Sequence, residues 1–532
     1  MTLLTAALAA QLGAETRMRL RSGATAFAIL AMFAVAFTYI PDPAANRVSI
    51  SWERDGLLMS GLYSSAYIGW VVAMLTSMML PFAGFYLVTG SVKRDLDRHI
   101  WPIVASTPAP RAAYLAGKLL ASFAYLLLLG GVTLIPATLL FFRYGHGPFE
   151  PLEIVTPWLL LVPPALLFTA AMALLFDVTP GLRGRGGFVL WFFAWTVLFF
   201  LIPGQLSGVL DRDRVQLDTP AFDPAGIIFV EKSVQEAIGT RPQSLNLGVG
   251  IISRPLHRVE FPGTPVTAQV VLTRAAQCGW SVVVLGLATI MFPLGAASSA
   301  RAPRAKRTSA SPKGEAAVET GTAATAFKLV SHPMRPSFVS SVIADTILTW
   351  KAASWLKWPT VVAALLAGLL PAGPARGAFA VTLLLVAIMI SETAAREPIA
   401  GTSPLVFAQP GTPRSIVAWK CASVGLFVTM VFLPSIARTA VMNPERLVSL
   451  LFGLAFVVAA SVSLGLLTKG GRFFSALFTA AWYTAVQGAL DFTGMFAVVP
   501  GAATAAAFAA AALLTLAAAW LMEQRTARVG SA

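Results

Sequence analysis

The sequence predicts an all-α protein, a polytopic membrane helical bundle of two tandem six-span halves. Three observations carry that expectation. Only 12% of the 532 residues are charged, about half the roughly 25% usual in a soluble globular domain. Hydrophobic residues make up 57% and the mean hydropathy is +0.74, so too little charge is present to coat a cytosolic enzyme of this size. Apolar runs recur at about 17–25 residues, the length of helix that crosses a hydrocarbon core about 30 Å thick.

In chain order, residues 1–22 open as an amphipathic interfacial helix. Leu4, Leu8 and Leu12 recur at four-residue spacing along one side, with Gln11, Glu15 and the arginines elsewhere. Apolar runs then predict spans at 24–40, 64–90, 119–142, 155–177, 187–203 and 275–297. The long loop 204–274 mixes Asp, Pro and Gly with short apolar pieces and predicts a small cap over the outer mouth. Residues 298–337 are rich in Ala, Ser, Thr, Gly and Pro, carry Arg301, Arg304, Lys306, Arg307 and Lys313, and cannot bury enough apolar area to fold alone. They read as a flexible basic cytoplasmic linker between a first half, 1–297, and a second, 338–532.

The second half again opens with an interfacial helix, 338–358. Val339, Ile343 and Ile347 share one side, while Trp350, Trp355 and Trp358 lie among Lys351 and Lys357, a mixture that favours the headgroup level. Spans follow at 357–371, 378–391, 419–436, 447–467, 473–490 and 502–521, of which the first two are short enough to form a re-entrant hairpin instead. Cys278 and Cys421 fall within apolar spans and read as small core residues. The first 12 residues are apolar before any cation appears, the reverse of a secretory signal, so no cleaved leader is expected.

With both termini inside, the predicted cytoplasmic segments hold 26 Lys and Arg against 10 Asp and Glu, and the outer segments 13 against 14. This is the bias by which helices orient; the expected location is the plasma (inner) membrane, with both termini cytoplasmic. The cations are spread over short loops and not gathered on one aromatic-rich face, which argues against nucleic acid as the partner of the +15 net charge.

An internal repeat is the most specific feature. Arg94-Asp95 after the second span is followed by Pro108, Arg111 and Lys118; Arg396-Glu397 after the eighth is followed by Pro410, Arg414 and Lys420. From Asp95 to Pro108 and from Glu397 to Pro410 is 13 positions, and from each acid to its lysine is 23. Charged loop residues do not hold register through composition alone. A further echo is Thr179-Pro180-Gly181 with Arg183 and Arg185 against Thr468-Lys469-Gly470-Gly471-Arg472.

With an interfacial helix and six spans per half, and with an inner loop running Arg94-Asp95, Thr107-Pro108, Arg111 and Gly117-Lys118, the sequence resembles the permeases of type-2 ATP-binding-cassette (ABC) exporters across most of its length. The second copy departs from the pattern at Gln409-Pro410 and Trp419-Lys420, and the first at Asp95. The resemblance implies that each inner loop is a coupling helix that docks a cytoplasmic ABC ATPase, two copies in all, with ATP and Mg on that partner and no cofactor on this chain. It also implies that the second and fifth spans of each half line the path, here Tyr67, Met74, Met78, Trp191, Trp195, Trp482, Tyr483 and Gln487. Such adaptable apolar walls suit a hydrophobic or amphipathic substrate such as a drug, peptide or lipid.

The residues agree with an outside source of energy. The chain has no Gly-x-x-x-x-Gly-Lys-Ser/Thr phosphate loop, and the mid-span positions hold almost no ionisable side chains, which ion-driven carriers usually require. No catalytic residue and no metal site is predicted. Two alternatives stand beside this reading: a major-facilitator-type carrier, which also has two halves and a basic linker, and a membrane-embedded enzyme using Asp211, Asp213, Asp218, Asp223, His257 and Glu260, whose spacing matches no metal or acid–base pair.

Overall fold

The computed structural model describes residues 3–44, 47–97, 100, 106, 110–183, 185–198, 222–239, 242, 244–252, 254–263, 266–300, 338–403, 406, 412–486, 509–517, 520 and 521. Seven helices among these are long and apolar enough to cross a bilayer, and nine spans result if each of two sharply bent helix pairs counts as one. Twelve were expected. The shortfall has identifiable sources: the expected span 502–521 is described only in part, and those at 187–203 and 473–490 appear as helices of 12 and 15 residues whose outer continuations lie outside the described residues. The thinnest expected span, 378–391, is instead a full helix of 19 residues.

The N-terminal half begins with α1 (Leu3–Leu20), which meets α2 (Gly23–Phe37) at a 73° bend. Ser22 makes the corner, its hydroxyl accepting from Ala24 N and relieving one of the orphan donors of a helix start. Then come strands β1 (Arg47–Arg54) and β2 (Leu57–Gly61), the central helix α3 (Ser65–Val88) capped by Ser64, and the short α4 (Ser91–Asp97). Helices α5 (Arg111–Val132) and α6 (Leu134–Tyr144) form one broken span, followed by α7 (Pro151–Val178) and α8 (Arg185–Thr196). The half closes with α9 (Ile227–Ile238), β3 (Ser244–Ile251), β4 (Leu256–Val259) and α10 (Ala268–Ala300).

After residue 337, α11 (Phe338–Ala352) turns through 103° into α12 (Lys357–Leu369). Helices α13 (Ala372–Ile390), α14 (Arg396–Ala400), α15 (Thr412–Met442), α16 (Pro444–Thr468) and α17 (Arg472–Val486) complete the described bundle.

The all-α expectation needs one correction. Strands β1 to β4 form a sheet in the order β3-β1-β2-β4, so the segment expected as a cap contributes to a small α/β layer that also recruits the segment after α2. Asp55 and Gly56, both with positive φ, make the two-residue turn between β1 and β2, and such a turn matches the twist of paired strands. Arg54 donates to the carbonyl of Ile238 at the end of α9, where a cation is favoured. Cys278 and Cys421 are both free and half-buried, and Cys421 packs against the hydrophobic core.

Helix α3 is the axis of the bundle. It packs most extensively on α7, and on its other side receives α17 from the C-terminal half, while α8 packs reciprocally on α13. Close approach of α3 and α7 depends on Gly69: a Cβ there would overlap the backbone at Ile154 and lie 2.6 Å from the Glu153 carbonyl oxygen. Small residues permit such contacts between membrane helices. Gly69→Ala is expected to separate the two helices at a cost of about 1–3 kcal/mol, visible as a lower unfolding temperature of the detergent-solubilised chain. Gly131→Ala, where a Cβ meets nothing within 4 Å, serves as the control.

Candidate functional site: two ionic elbows

Each surface helix brings a single acid to the elbow that follows the central span of its half. In the N-terminal half, Glu15 of α1 is 3% exposed. It accepts from Arg94 at 2.6 Å and from Lys118 Nζ at 2.6 Å. The same ammonium lies 2.8 Å from Asp95, and Tyr114 donates to Asp95 at 2.8 Å. Lys118 also donates to the carbonyl of Ser91, so all its donors are engaged inside protein.

In the C-terminal half, Asp345 of α11 takes the place of Glu15. It is 3% exposed and accepts from Arg396, from Lys420 Nζ at 3.1 Å and from Ser423 at 3.0 Å. Lys420 reaches Glu397 at 2.5 Å, and Arg396 also donates to Thr349. Acid, arginine, acid and lysine thus occur in both halves, with Arg-Asp or Arg-Glu on the elbow and Lys 23 positions beyond that elbow acid on the next helix. Burial opposes the charge on Glu15, but Lys118 and then Arg94 outweigh it and hold its carboxyl below the ordinary range.

Paired contacts of Arg94, Asp95, Arg396 and Glu397, within the elbow or with a partner, were expected, and the described ones lie inside the chain. Asp95, Lys118, Glu397 and Lys420 are buried and Arg94 is only one-quarter exposed on its side chain, so the charged residues clamp surface helix to elbow and leave little for a soluble partner to grip. The outward parts are Pro110 and Arg111 at the start of α5 and Pro398 and Ile399 on α14, Ile399 being 58% exposed. Pro108 and Pro410 lie outside the described residues; Arg414 falls on α15, with its side chain outside the description.

Sequence reasoning set Glu15 off the leucine side of α1 and assigned no role to Asp345. Each is the only acid of its helix, and a lone carboxylate on an apolar helix beside a basic loop was the available signal.

The two elbows arise at the same end of the molecule. A Cβ on Gly471 would lie 2.6 Å from the Ser391 carbonyl oxygen, and the Arg472 guanidinium lies over Gly90 so closely that a Cβ there would overlap it. Asp177, 1% exposed at the end of α7, accepts from Gly90 N at 2.6 Å and Val92 N at 3.2 Å. Arg472 stands within electrostatic reach of Asp177 in one half and Glu392 in the other.

The expected path residues are packed. Tyr67 bonds Ser60 at 2.8 Å beneath the cap, and Met74 and Met78 are buried. Trp191 stacks on Phe85 at 4.4 Å and on Trp195, whose indole donates to the Met78 carbonyl. Trp482 meets Phe192 edge-on at 5.2 Å and donates to the Ala380 carbonyl, so α3, α8, α13 and α17 are joined by one aromatic seam. Tyr483 lies on α17 with its side chain outside the description, and Gln487 lies outside the described residues.

At the cap end, Asp223 bonds the start of α9 and Arg274, a structural tie. Asp211, Asp213 and Asp218 lie outside the described residues. Among the described residues no group of three or more His, Cys, Asp and Glu is placed to hold a metal. No protein-family model, no curated protein and no solved structure matches the chain.

Proposed function

We infer that the chain is the membrane subunit of an ABC-type exporter, with twelve spans in two repeated halves, moving a hydrophobic or amphipathic compound outward while separate ATPase subunits close beneath it. The observation that carries this reading is the pair of matching ionic elbows at one end of the bundle. A buried clamp joins each short elbow helix to a surface helix and to the next span, so a push on the elbow moves all three as one body. Transport then consists of parting the aromatic seam between the halves, a second arrangement of packed rings favoured only while a partner holds the elbows.

Because charge reversal at Arg94 or Glu397 would damage the clamp itself, exposed Arg111 and Ile399 are the better probes. A photo-crosslinking residue at either position is expected to capture an ABC ATPase in the native membrane. Arg111→Glu is expected to lower stimulation of that ATPase roughly tenfold, equivalent to about 1.4 kcal/mol, without lowering the unfolding temperature. Capture of no ATPase at either position, or uptake into vesicles driven by an imposed proton gradient without one, would overturn the proposal.

A further inference from the structure

We propose that the corner between α8, α12 and α13 is a binding site for one anionic phospholipid, its acyl chain in an apolar slot and its phosphate at the cations beside the mouth. This goes beyond transport and does not depend on it. The slot has a volume of about 470 Å³ and draws its walls from both halves, with Leu182 and Phe193 on one side and Trp355, Pro359, Val381 and Leu385 on the other.

Its depth fits a chain lying along the bilayer normal. Leu182 belongs to the turn before α8, and Trp355 to the corner where α11 bends into α12, so this end lies at the elbow surface. Phe193 is eight residues into α8 and Val381 nine residues before the elbow end of α13, about 12–14 Å deeper at 1.5 Å per residue. Phe193, Trp355 and Val381 are 48%, 52% and 38% exposed, so the slot opens sideways, where lipid would surround the bundle.

The reciprocal corner differs. There α2 packs directly on α16 and α17, with Phe27 against Phe473 at 6.0 Å. One corner between the halves is filled by protein, and its counterpart encloses a slot.

The occupant follows from charge. Lys357 opens α12 between Trp355 and Pro359, and Arg183 follows Leu182, its guanidinium also donating to the Asp177 and Val178 carbonyls at the end of α7. Both cations stand at the surface end, with Trp358 65% exposed beside them at headgroup level. The acids nearest in sequence are committed elsewhere: Asp345 to Arg396 and Lys420, Asp177 to the start of α4. A phosphate with one net negative charge is complementary to this mouth, whereas a zwitterionic headgroup brings its own cation into the same space.

The full chain, purified in detergent, is mixed with dioleoyl phosphatidylglycerol or dioleoyl phosphatidylcholine and the retained lipid is counted by native mass spectrometry. One phosphatidylglycerol per chain is expected to survive washing that removes phosphatidylcholine. Val381→Trp, which fills the slot, is expected to abolish retention. Lys357→Gln is expected to reduce the preference about fivefold, the contribution of one cation near the membrane surface. Should Val381→Trp fail to fold, Val381→Cys gives a second readout: phosphatidylglycerol is expected to slow its reaction with a maleimide. Equal retention of the two lipids by the wild type, retention undiminished in a folded Val381→Trp, or a maleimide rate indifferent to phosphatidylglycerol would overturn the assignment.

Discussion

Lys118→Met is expected to destabilise the elbow end of the N-terminal half by about 3–5 kcal/mol, because it leaves two buried carboxylates with only Arg94 between them. Lys118 is fully buried and contacts Glu15, Asp95 and the Ser91 carbonyl at once; methionine keeps the stem and removes the charge. The loss is expected to fall on α1 and α4, as faster hydrogen exchange over residues 3–20 and 91–97. Combining Lys118→Met with Glu15→Gln and Asp95→Asn removes all three charges in nearly the same volume and is expected to recover most of the stability. A triple variant no more stable than the single one would show that the effect came from packing.

Acid separates the two forms further. The Glu15 carboxyl is lowered on folding, so the stability it contributes is complete above its unfolded value and is lost as the pH falls through the folded one. Without Lys118, burial dominates and the carboxyl rises. As the pH is lowered below 7, Glu15 is then protonated and relieved at a higher pH in the variant than in the wild type, whose ion pairs hold it charged. The gap between their unfolding temperatures is expected to narrow, and parallel pH profiles would contradict this account. Lys420→Met, which leaves Asp345 and Glu397 in the equivalent position, is expected to behave alike at the other elbow.

The clamp shows what was legible in the sequence. Arg94, Asp95 and Lys118 and their counterparts kept register because charge in a short loop cannot drift without losing its partners. Glu15 and Asp345 were not assigned because a helical wheel ranks faces by hydrophobicity and cannot tell a water-facing acid from one turned inward onto a lysine. On α11, Val339, Ile343 and Ile347 remain exposed while Asp345 is buried, the reverse of the ordering in a soluble protein and the ordering expected where the outside is lipid.

The cap was legible in part. Asp55-Gly56 between Val48-Ser-Ile-Ser-Trp52 and Leu57-Leu-Met59 carries the hairpin signal, but the sequence reading assigned no element between the spans 24–40 and 64–90. The pairing of β1 with β3, which lies almost 200 residues away, has no local signature. Trp191, Trp195 and Trp482 were named as path residues through the family resemblance, yet their engagement in stacking and indole-to-carbonyl bonds depends on how the halves meet, which periodicity does not encode.

Asp177→Ala is expected to release the elbow of the N-terminal half while leaving its spans in place. The carboxylate is buried and accepts from the backbone of Gly90 and Val92, which no helical carbonyl can serve because they open α4. Two buried N–H groups left without acceptors cost about 1–3 kcal/mol each, with the total toward the low end because the variant no longer buries a charge. Asp177→Asn, which keeps an acceptor, is expected to lose less than half as much. Gly90 adds a constraint: its φ of +88° is open to glycine, and the Arg472 guanidinium occupies the space a side chain would need. The residue that starts one elbow is therefore held by an acid of its own half and covered by a cation from the other. Arg472→Ala is expected to cost less than Asp177→Ala, since Arg472 remains exposed, but the double variant is expected to be more stable than the sum of the two losses predicts, by at least about 0.5 kcal/mol. Additive losses would mean that the two halves meet at Gly90 without exchanging free energy there, and each elbow would then have to be moved separately.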